Sequence, residues 1–542
     1  MKRVLYIAAV AAIVWIAYGC KSCGGKKDKT APKIFRYNQS GGVTSLDPAM
    51  ASTLANIWVV NQLYNTLLQL DDSLRIQPCI AHSYEISSDR LTYTFHLRTD
   101  VYFHDDTCFP GGKGRRLNAR DVVYSFYRLI DPATLAKGAW VFNGRVSEKD
   151  PFTAPDDSTF VLKLRAPFAP MTGILTMPYC AIVPREAVQK YGAAFRAHPV
   201  GTGPFRFRQW RENVAILLEK NENYFEYENG HRLPYLDGVK ISFISDTKTE
   251  FLEFRKNNLD FISGIDGAYI DEVLRDDGTL RDELKDLYHF QRSAYLNTEY
   301  LGFLMTGTAA EPVLQNKKVR QAINYAIDRE EIIRYLRNGV GKPAIHGFVP
   351  EGFSGYEQSR IAGYTYQPQK ARQLLAEAGY HAGNPLPTIK LYTSDKYQQY
   401  ALLVAKQLEQ AGISLKVELL QSSLLSEMKS SGKATFFRAS LVGDYADPET
   451  YLAAFYGKHI APPNYTRFNH PRYNALYEKA VQEPDQTKRY AYYYEMEKIL
   501  LDEAPLVPLY YDEVIRFSRK NVWLPHPNAM NLLNLKHAKI SD

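Results

Sequence analysis

Between Ile389 and Leu419 the chain changes period twice, and no other stretch restricts the fold as much. Ile389 to Tyr392 reads as a short apolar strand, Gln398 to Glu409 as a helix, and Leu415 to Leu419 as a second strand. Two strands joined through a helix lie parallel, because the helix carries the chain back across one face of the sheet to the end where it began. A parallel sheet needs helices on its faces, so the class is α/β. The rest of the chain supplies both kinds of element. Val319, Ala322, Ile323, Ala326 and Ile327 share one helical face, and Asp328 with Glu331 opens the next helix. Ala371, Leu374, Leu375 and Ala378 repeat the helical spacing up to Gly379. Asn118, with Asp121 three residues on, caps a helix reaching Ile130; further helices are expected over Leu54 to Leu68 and around Tyr492 to Leu500, the latter halted before Pro505. Strands are expected at Ile34 to Tyr37, through the alternation Leu91, Tyr93, Phe95, Leu97, at Phe160 to Leu164, and at Pro505 to Tyr511. Gly201-Thr202-Gly203-Pro204 lacks the Lys-Ser/Thr and third glycine of a phosphate loop and reads as a structural turn.

The stretch Thr435 to Tyr456 carries the candidate chemistry. From Phe436 to Val442, Phe437, Ala439 and Leu441 fall on one face of an extended chain, and Phe436, Arg438, Ser440 and Val442 on the other. Asp447-Pro448-Glu449 then opens a helix with Asp as the cap, Pro at the first helical position and Glu in the first turn. Asp447 thus has a structural task and Asp444 has none. Arg438 and Asp444, six residues apart on one face, can offer a cation and an anion to the two ends of a bound molecule; alternatively, Asp444 caps the turn and Arg438 is a solvated charge.

A chain of 542 residues accommodates two or three domains. Its net charge of +7 owes much to Lys2, Arg3, Lys21, Lys26, Lys27 and Lys29, so the body is near neutral, and with no basic stripe or zinc-finger spacing nucleic acid is excluded as a partner. The 39 tyrosines and 26 phenylalanines suit a cavity for ligands of mixed character. A basic head, the apolar run Val4 to Ala17 and Cys20 after a small residue resemble a bacterial lipoprotein signal. The expectation is a signal over residues 1–20, lipidation at Cys20, a tether over 21–33 and a cell-envelope location, periplasmic or surface-facing. Export favours disulfides, but Cys79, Cys108 and Cys180 are odd in number; Cys79 with Cys108 is the expected pair. No CxxC spacing among Cys79, Cys108 and Cys180, together with scattered histidines, speaks against a zinc site, and no other cofactor is called for.

Several segments together resemble the oligopeptide- and dipeptide-binding lipoproteins of ABC transporters, solute-binding protein family 5. They are Ser45-Leu46-Asp47-Pro48, Tyr64-Asn65-Thr66-Leu67, Leu91 to Arg98, Asn118 to Ser125, Gly201 to Phe205, Val319 to Arg329, Ala371 to Gly379, Gly443 to Pro448 and Pro508 to Tyr511, in family order along almost the whole chain. The resemblance implies a two-lobed periplasmic-binding-protein fold of type II, similar to the large cluster C proteins, with an extra inserted α/β domain. It implies one lobe from residues 31–68, 186–290 and 505–542, the inserted domain at 69–185 and the second lobe at 291–504. It further implies a monomer that traps an extended peptide by hinge closure and delivers it to an inner-membrane permease. Carried over residue by residue, Asp444 meets the peptide's α-ammonium, Ser440 and Val442 pair with its backbone, and Arg438 can meet a carboxylate. Tyr397 stands where one branch of the family has a histidine.

The same fold could instead hold a nickel complex, an oligosaccharide, haem or an opine, or serve a surface adhesin or signalling receptor. An exported hydrolase using Asp444 and Asp447 is the alternative from another class, but Asp447 reads better as a cap, and neither HExxH nor GxSxG occurs.

Overall fold

Two long strands organise the protein. In a computed structural model describing residues 31–307 and 309–541, Tyr288–Phe303 and Leu506–Arg519 run antiparallel through the middle of an 11-stranded sheet. To one side lie Phe436–Val442, Ile389–Ser394 and Leu415–Leu420, in that order. To the other lie Phe261–Ser263, Ile34–Asn38, Gly238–Ser242, Ala215–Lys220 and Phe205–Arg211. Distant parts of the chain therefore meet edge to edge: Phe261 is paired with both Tyr37 and Ser518. The expected signal, Cys20 and most of the expected tether lie outside the described residues. From Ile34 onward the chain forms one compact unit, and no described helix is long and apolar enough to cross a membrane.

The strand–helix–strand unit is present. Ile389–Ser394 pairs in parallel with Leu415–Leu420, and the helix Gln398–Gln410 connects them, burying Ala401, Val404 and Leu408. A separate antiparallel sheet orders Ala81–Ile86, Thr92–Leu97, Thr159–Lys163 and Phe152–Thr153. Its alternation is as read: Tyr93, Phe95 and Leu97 are buried, with Thr92, Thr94 and His96 between them half-exposed. Asn118 and Asp121 form a reciprocal capping box on the helix Ala119–Ile130.

Three readings need correction. The helix beginning at Leu54 stops at Leu63, not Leu68, because the Gly201–Gly203 turn packs onto its last residues. A Cβ on Gly201 would lie 2.1 Å from the Leu63 carbonyl oxygen, and one on Gly203 would lie 2.4 Å from the Leu63 carbonyl carbon. The glycines serve this close approach, which supports the structural reading of the turn; the chain beyond is drawn into the hairpin Leu68–Leu70 with Ile76–Pro78. The strand expected to close at Tyr511 continues to Arg519, and Pro508, which has no N–H to donate, sits at a break in its register with Tyr288–Phe303. Finally, Cys79, Cys108 and Cys180 are all free thiols, so the expected Cys79–Cys108 pair is not formed. Their surroundings differ: Cys79 is buried against the Asn65 amide at 3.6 Å, the Cys180 thiol donates to the Ile174 carbonyl at 3.5 Å, and Cys108 lies in a half-buried loop held by Asp106.

Candidate functional site

The strand Phe436–Val442 has one paired edge and one partly open edge. Its antiparallel register with Tyr288–Phe303 runs from Phe303↔Phe436 to Asn297↔Val442. Bonds from Leu304 N–H to the Thr435 carbonyl and from Gly443 N–H to the Leu296 carbonyl, each 2.8 Å, extend that register at both ends. In an antiparallel ladder alternate residues turn their main-chain groups toward the partner. Phe437, Ala439, Leu441 and Gly443 therefore face Tyr288–Phe303, and Arg438, Ser440 and Val442 direct their N–H and C=O groups the other way. On that second edge Ile389–Ser394 pairs through Tyr392↔Phe437 and then ends. The edge at Ser440 and Val442 is left unladdered, and both residues are exposed.

Asp444 follows directly. Its N–H donates to Thr450 Oγ1 at 3.2 Å, and among the described residues no donor or cation reaches its carboxylate. The side chain is open to water, yet protein crowds it from most sides. That crowding, and next the charge of Glu449, push its pKa up to about 6. Tyr179, from a distant part of the chain, is close enough that the Asp444 charge adds to burial in pushing its phenol up to about 12.

The cap is Asp447. Its carboxylate accepts from Glu449 N–H at 3.0 Å and Tyr493 Oη–H at 2.8 Å, and pairs with Arg489 at 3.1 Å, all within the core. Glu449 is fully buried and accepts from the hydroxyls of Tyr445 and Tyr477. Two satisfied carboxylates thus follow the unsatisfied one.

Arg438 is not a solvated charge. Its guanidinium is paired with Glu299 on the adjacent strand, with side-chain exposures of 14% and 6%, and is stacked on Tyr397, 3.2 Å from the ring centroid. Burial raises the Glu299 pKa and Arg438 opposes it. The network continues through Asn297 Nδ2 to Asp512, 3.2 Å away, and from Asp512 to Arg337. Lys429 stands nearby with its ammonium 4.8 Å from the Tyr465 ring centroid and, among the described residues, no carboxylate within ion-pairing distance. Burial, then the positive charge of Arg438, lowers its pKa to about 8. The sequence reading missed Glu299, Lys429 and Tyr179. A signal for Glu299 existed, since it interrupts the otherwise apolar or neutral run Leu296 to Phe303.

An α/β fold with an unladdered strand edge and an unpaired carboxylate at its end suits an extracytoplasmic solute-binding protein, the class whose family model the chain matches. More particularly, the chain belongs to the bacterial extracellular solute-binding proteins, family 5, whose middle region is matched over residues 75–462. It is 26% identical to the dipeptide-binding protein DppE of Bacillus subtilis over 96% of each chain. It is 30% identical to the heme-binding protein A of Haemophilus influenzae over 83% of this chain and 81% of that one. Among solved structures it resembles the periplasmic binding protein DppA of Helicobacter pylori in complex with the peptide STSA. The TM-score there is 0.76 at 25% identity, over 94% of this chain and 98% of the other.

Proposed function

We propose that this protein captures short peptides in the cleft between its lobes and hands them to an ABC-transporter permease, performing no chemistry itself. The observation that carries the reading is the Asp444 carboxylate, unpaired and crowded at the end of an unladdered strand edge. An isolated carboxylate there costs the empty protein and is compensated by a cation; the α-ammonium of a peptide lying along Ser440 and Val442 supplies it, while main-chain pairing holds the peptide without reading its sequence. Arg438 is already neutralised by Glu299, so Lys429 is the cation left for the ligand's carboxylate, and Tyr397 acts by fixing Arg438. Asp447 is consumed by its own ion pair and cap, which removes the paired-acid arrangement a hydrolase would need.

We further assign residues 31–68, 186–290 and 505–542 to one lobe, 69–185 to an inserted domain and 291–504 to the other lobe. The two long strands at the centre of the sheet would then link the lobes. The protein is a monomer, anchored at the cell envelope through a lipid on Cys20, which becomes the first residue once residues 1–19 are removed. The test is native mass spectrometry of the full chain purified from cells grown in rich medium, followed by release and sequencing of what is bound. Copurifying peptides of about two to five residues, lost in Asp444→Ala, support the reading. A haem, sugar or metal complex in their place, or no binding from a peptide pool, overturns it.

A further inference from the structure

One end of the 11-stranded sheet gathers the chain's first strand and a group of exposed apolar side chains. Tyr288 pairs with Arg519 at that end, and Arg519 N–H donates to the Asp260 carbonyl, while Asp260 N–H donates to the Arg36 carbonyl. The first strand, Ile34–Asn38, starts there too, with Ile34 opposite Gly238, just after Tyr235. Lys539 lies between Tyr235 and Trp523, its ammonium 4.2 Å and 5.4 Å from the two ring centroids. Trp523 is thus joined to the start of the first strand through Lys539, Tyr235 and Gly238.

Trp523 is 50% exposed, and Leu287, on the turn leading into Tyr288, is 54% exposed. The Leu287 carbonyl accepts from Lys520 N–H at 3.3 Å, which sets Lys520 beside it. A groove of about 680 Å³ has Lys285, His289, Arg292, Lys520 and Trp523 among its walls and no carboxylate. Nearby carboxylates are engaged outside it: Glu513 with Arg292, Asp282 with Arg275 and with Lys285 at 2.7 Å, and Glu228 with Lys539 at 3.4 Å. Among the described residues no carboxylate lies within ion-pairing distance of Lys520. Glu283 and Asp286, exposed on the preceding turn, offset part of the positive charge, so the patch is suited to an interface and not to an anion alone.

A partly exposed indole, an aliphatic side chain and a free lysine make the combination that settles at a bilayer surface, with the ring and leucine at headgroup depth and the ammonium among the phosphates. Resting on the lipid-anchor reading above, we infer that this end of the sheet lies against the bilayer that carries the anchor, seating Trp523 and Leu287 at headgroup level with Lys520 on lipid phosphates. Residues 21–33, fully extended, span at most about 45 Å, so the anchor holds this end near the bilayer at a high effective concentration, and a weak contact suffices. Val442 pairs with Asn297, about 30 Å along the strand from Tyr288, so the contact keeps the Ser440–Val442 edge clear of lipid.

The test uses the full lipoprotein reconstituted into vesicles of phosphatidylethanolamine and phosphatidylglycerol, with or without bromine on the acyl chains close to the headgroup. Flotation reports the anchor, and quenching of tryptophan emission by bromine reports the contact. The unaltered protein is expected to float and to lose emission to brominated lipid, Trp523→Phe to float and lose none, and Leu287→Ser/Lys520→Glu to float with quenching reduced. Equal quenching of the unaltered protein and Trp523→Phe, or quenching unmoved by Leu287→Ser/Lys520→Glu, overturns the inference and leaves the anchor standing. Failure of the unaltered protein to float overturns both. Should Trp523→Phe not fold, Leu287→Ser/Lys520→Glu decides alone.

Discussion

Replacing Asp444 by Asn should move ligand affinity and the stability of the empty protein in opposite directions. A carboxylate and an ammonium about 4 Å apart attract by roughly 4 kcal/mol at an effective dielectric of about 20. Desolvation of the two charges offsets part of that, and truncating one partner of a desolvated pair costs about 2–5 kcal/mol. Asn retains a hydrogen bond to the ammonium, so a loss of about 2–3 kcal/mol, a roughly 30- to 150-fold rise in Kd, is expected for a tripeptide with a free amine. An N-acetylated peptide should bind the two proteins alike. In the empty protein the sign reverses. The folded state raises the Asp444 pKa to about 6, above its ordinary value of 3.8, so ionisation is harder folded than unfolded. That penalty is absent below the ordinary pKa, grows between the two values and is complete above about 6. Because the carboxylate is open to water, the full shift overstates the penalty, and about 1 kcal/mol is the expected gain for Asp444→Asn at pH 7.5. Calorimetric titration gives the first quantity and thermal unfolding of the ligand-free protein the second. An unchanged Kd, or a Tm that falls with the affinity, would refute the reasoning, the latter by showing that Asp444 supports the turn.

The same pKa sets a pH window: with the peptide amine charged throughout, affinity should fall about tenfold between pH 7.5 and pH 5 as Asp444 protonates through about 6, and a flat profile would contradict this. Glu299→Gln leaves the Arg438 guanidinium buried and unpaired, and should cost about 3 kcal/mol in urea unfolding; the double variant Glu299→Gln/Arg438→Met should recover much of it. Gly203→Ala forces backbone apart where a Cβ would meet the Leu63 carbonyl carbon at 2.4 Å, so a loss above about 2 kcal/mol is expected, whereas Gly41→Ala, with nothing within 4 Å, should be neutral. Alkylation of the native protein followed by mass mapping should label Cys108 and spare the buried Cys79 and Cys180 until denaturant is added; a Cys79–Cys108 crosslink in that map would contradict the free thiols.

The parts of this fold that were legible in the sequence are those whose cause is local. The capping box Asn118/Asp121, the strand Phe436–Val442 and the unit Ile389–Leu420 are written in spacings of a few residues, and they appear where the spacings put them. The end of the helix at Leu63 was not legible, because it is imposed by glycines more than a hundred residues away. Tyr288–Phe303, the strand at the centre of the sheet, carries no clean alternation: its first half is half-buried on both faces and its second half buried on both, as a central strand between partners should be. Missing that strand meant missing Glu299, and with it the partner that takes Arg438 out of the pool of free cations. Asp444 was singled out by elimination, since Asp447 explained itself as a cap and Asp444 did not.

That elimination has a physical counterpart in the fold. Three carboxylates within six residues meet three fates: Asp447 holds a backbone N–H, a phenol and a guanidinium, Glu449 holds two phenols, and Asp444 holds nothing. The two satisfied groups are buried and fix the turn; the unsatisfied one inherits that rigidity without losing its valence. If Asp444 were bonded within its own turn, a ligand would have to displace that bond and the ammonium would gain only the difference. Left unpaired, it costs the empty protein about 1 kcal/mol after solvent screening and leaves nearly the whole charge interaction for the ligand. On the peptide-capture reading proposed above, this distribution of partners around the turn is what binding requires and what stability alone would not select.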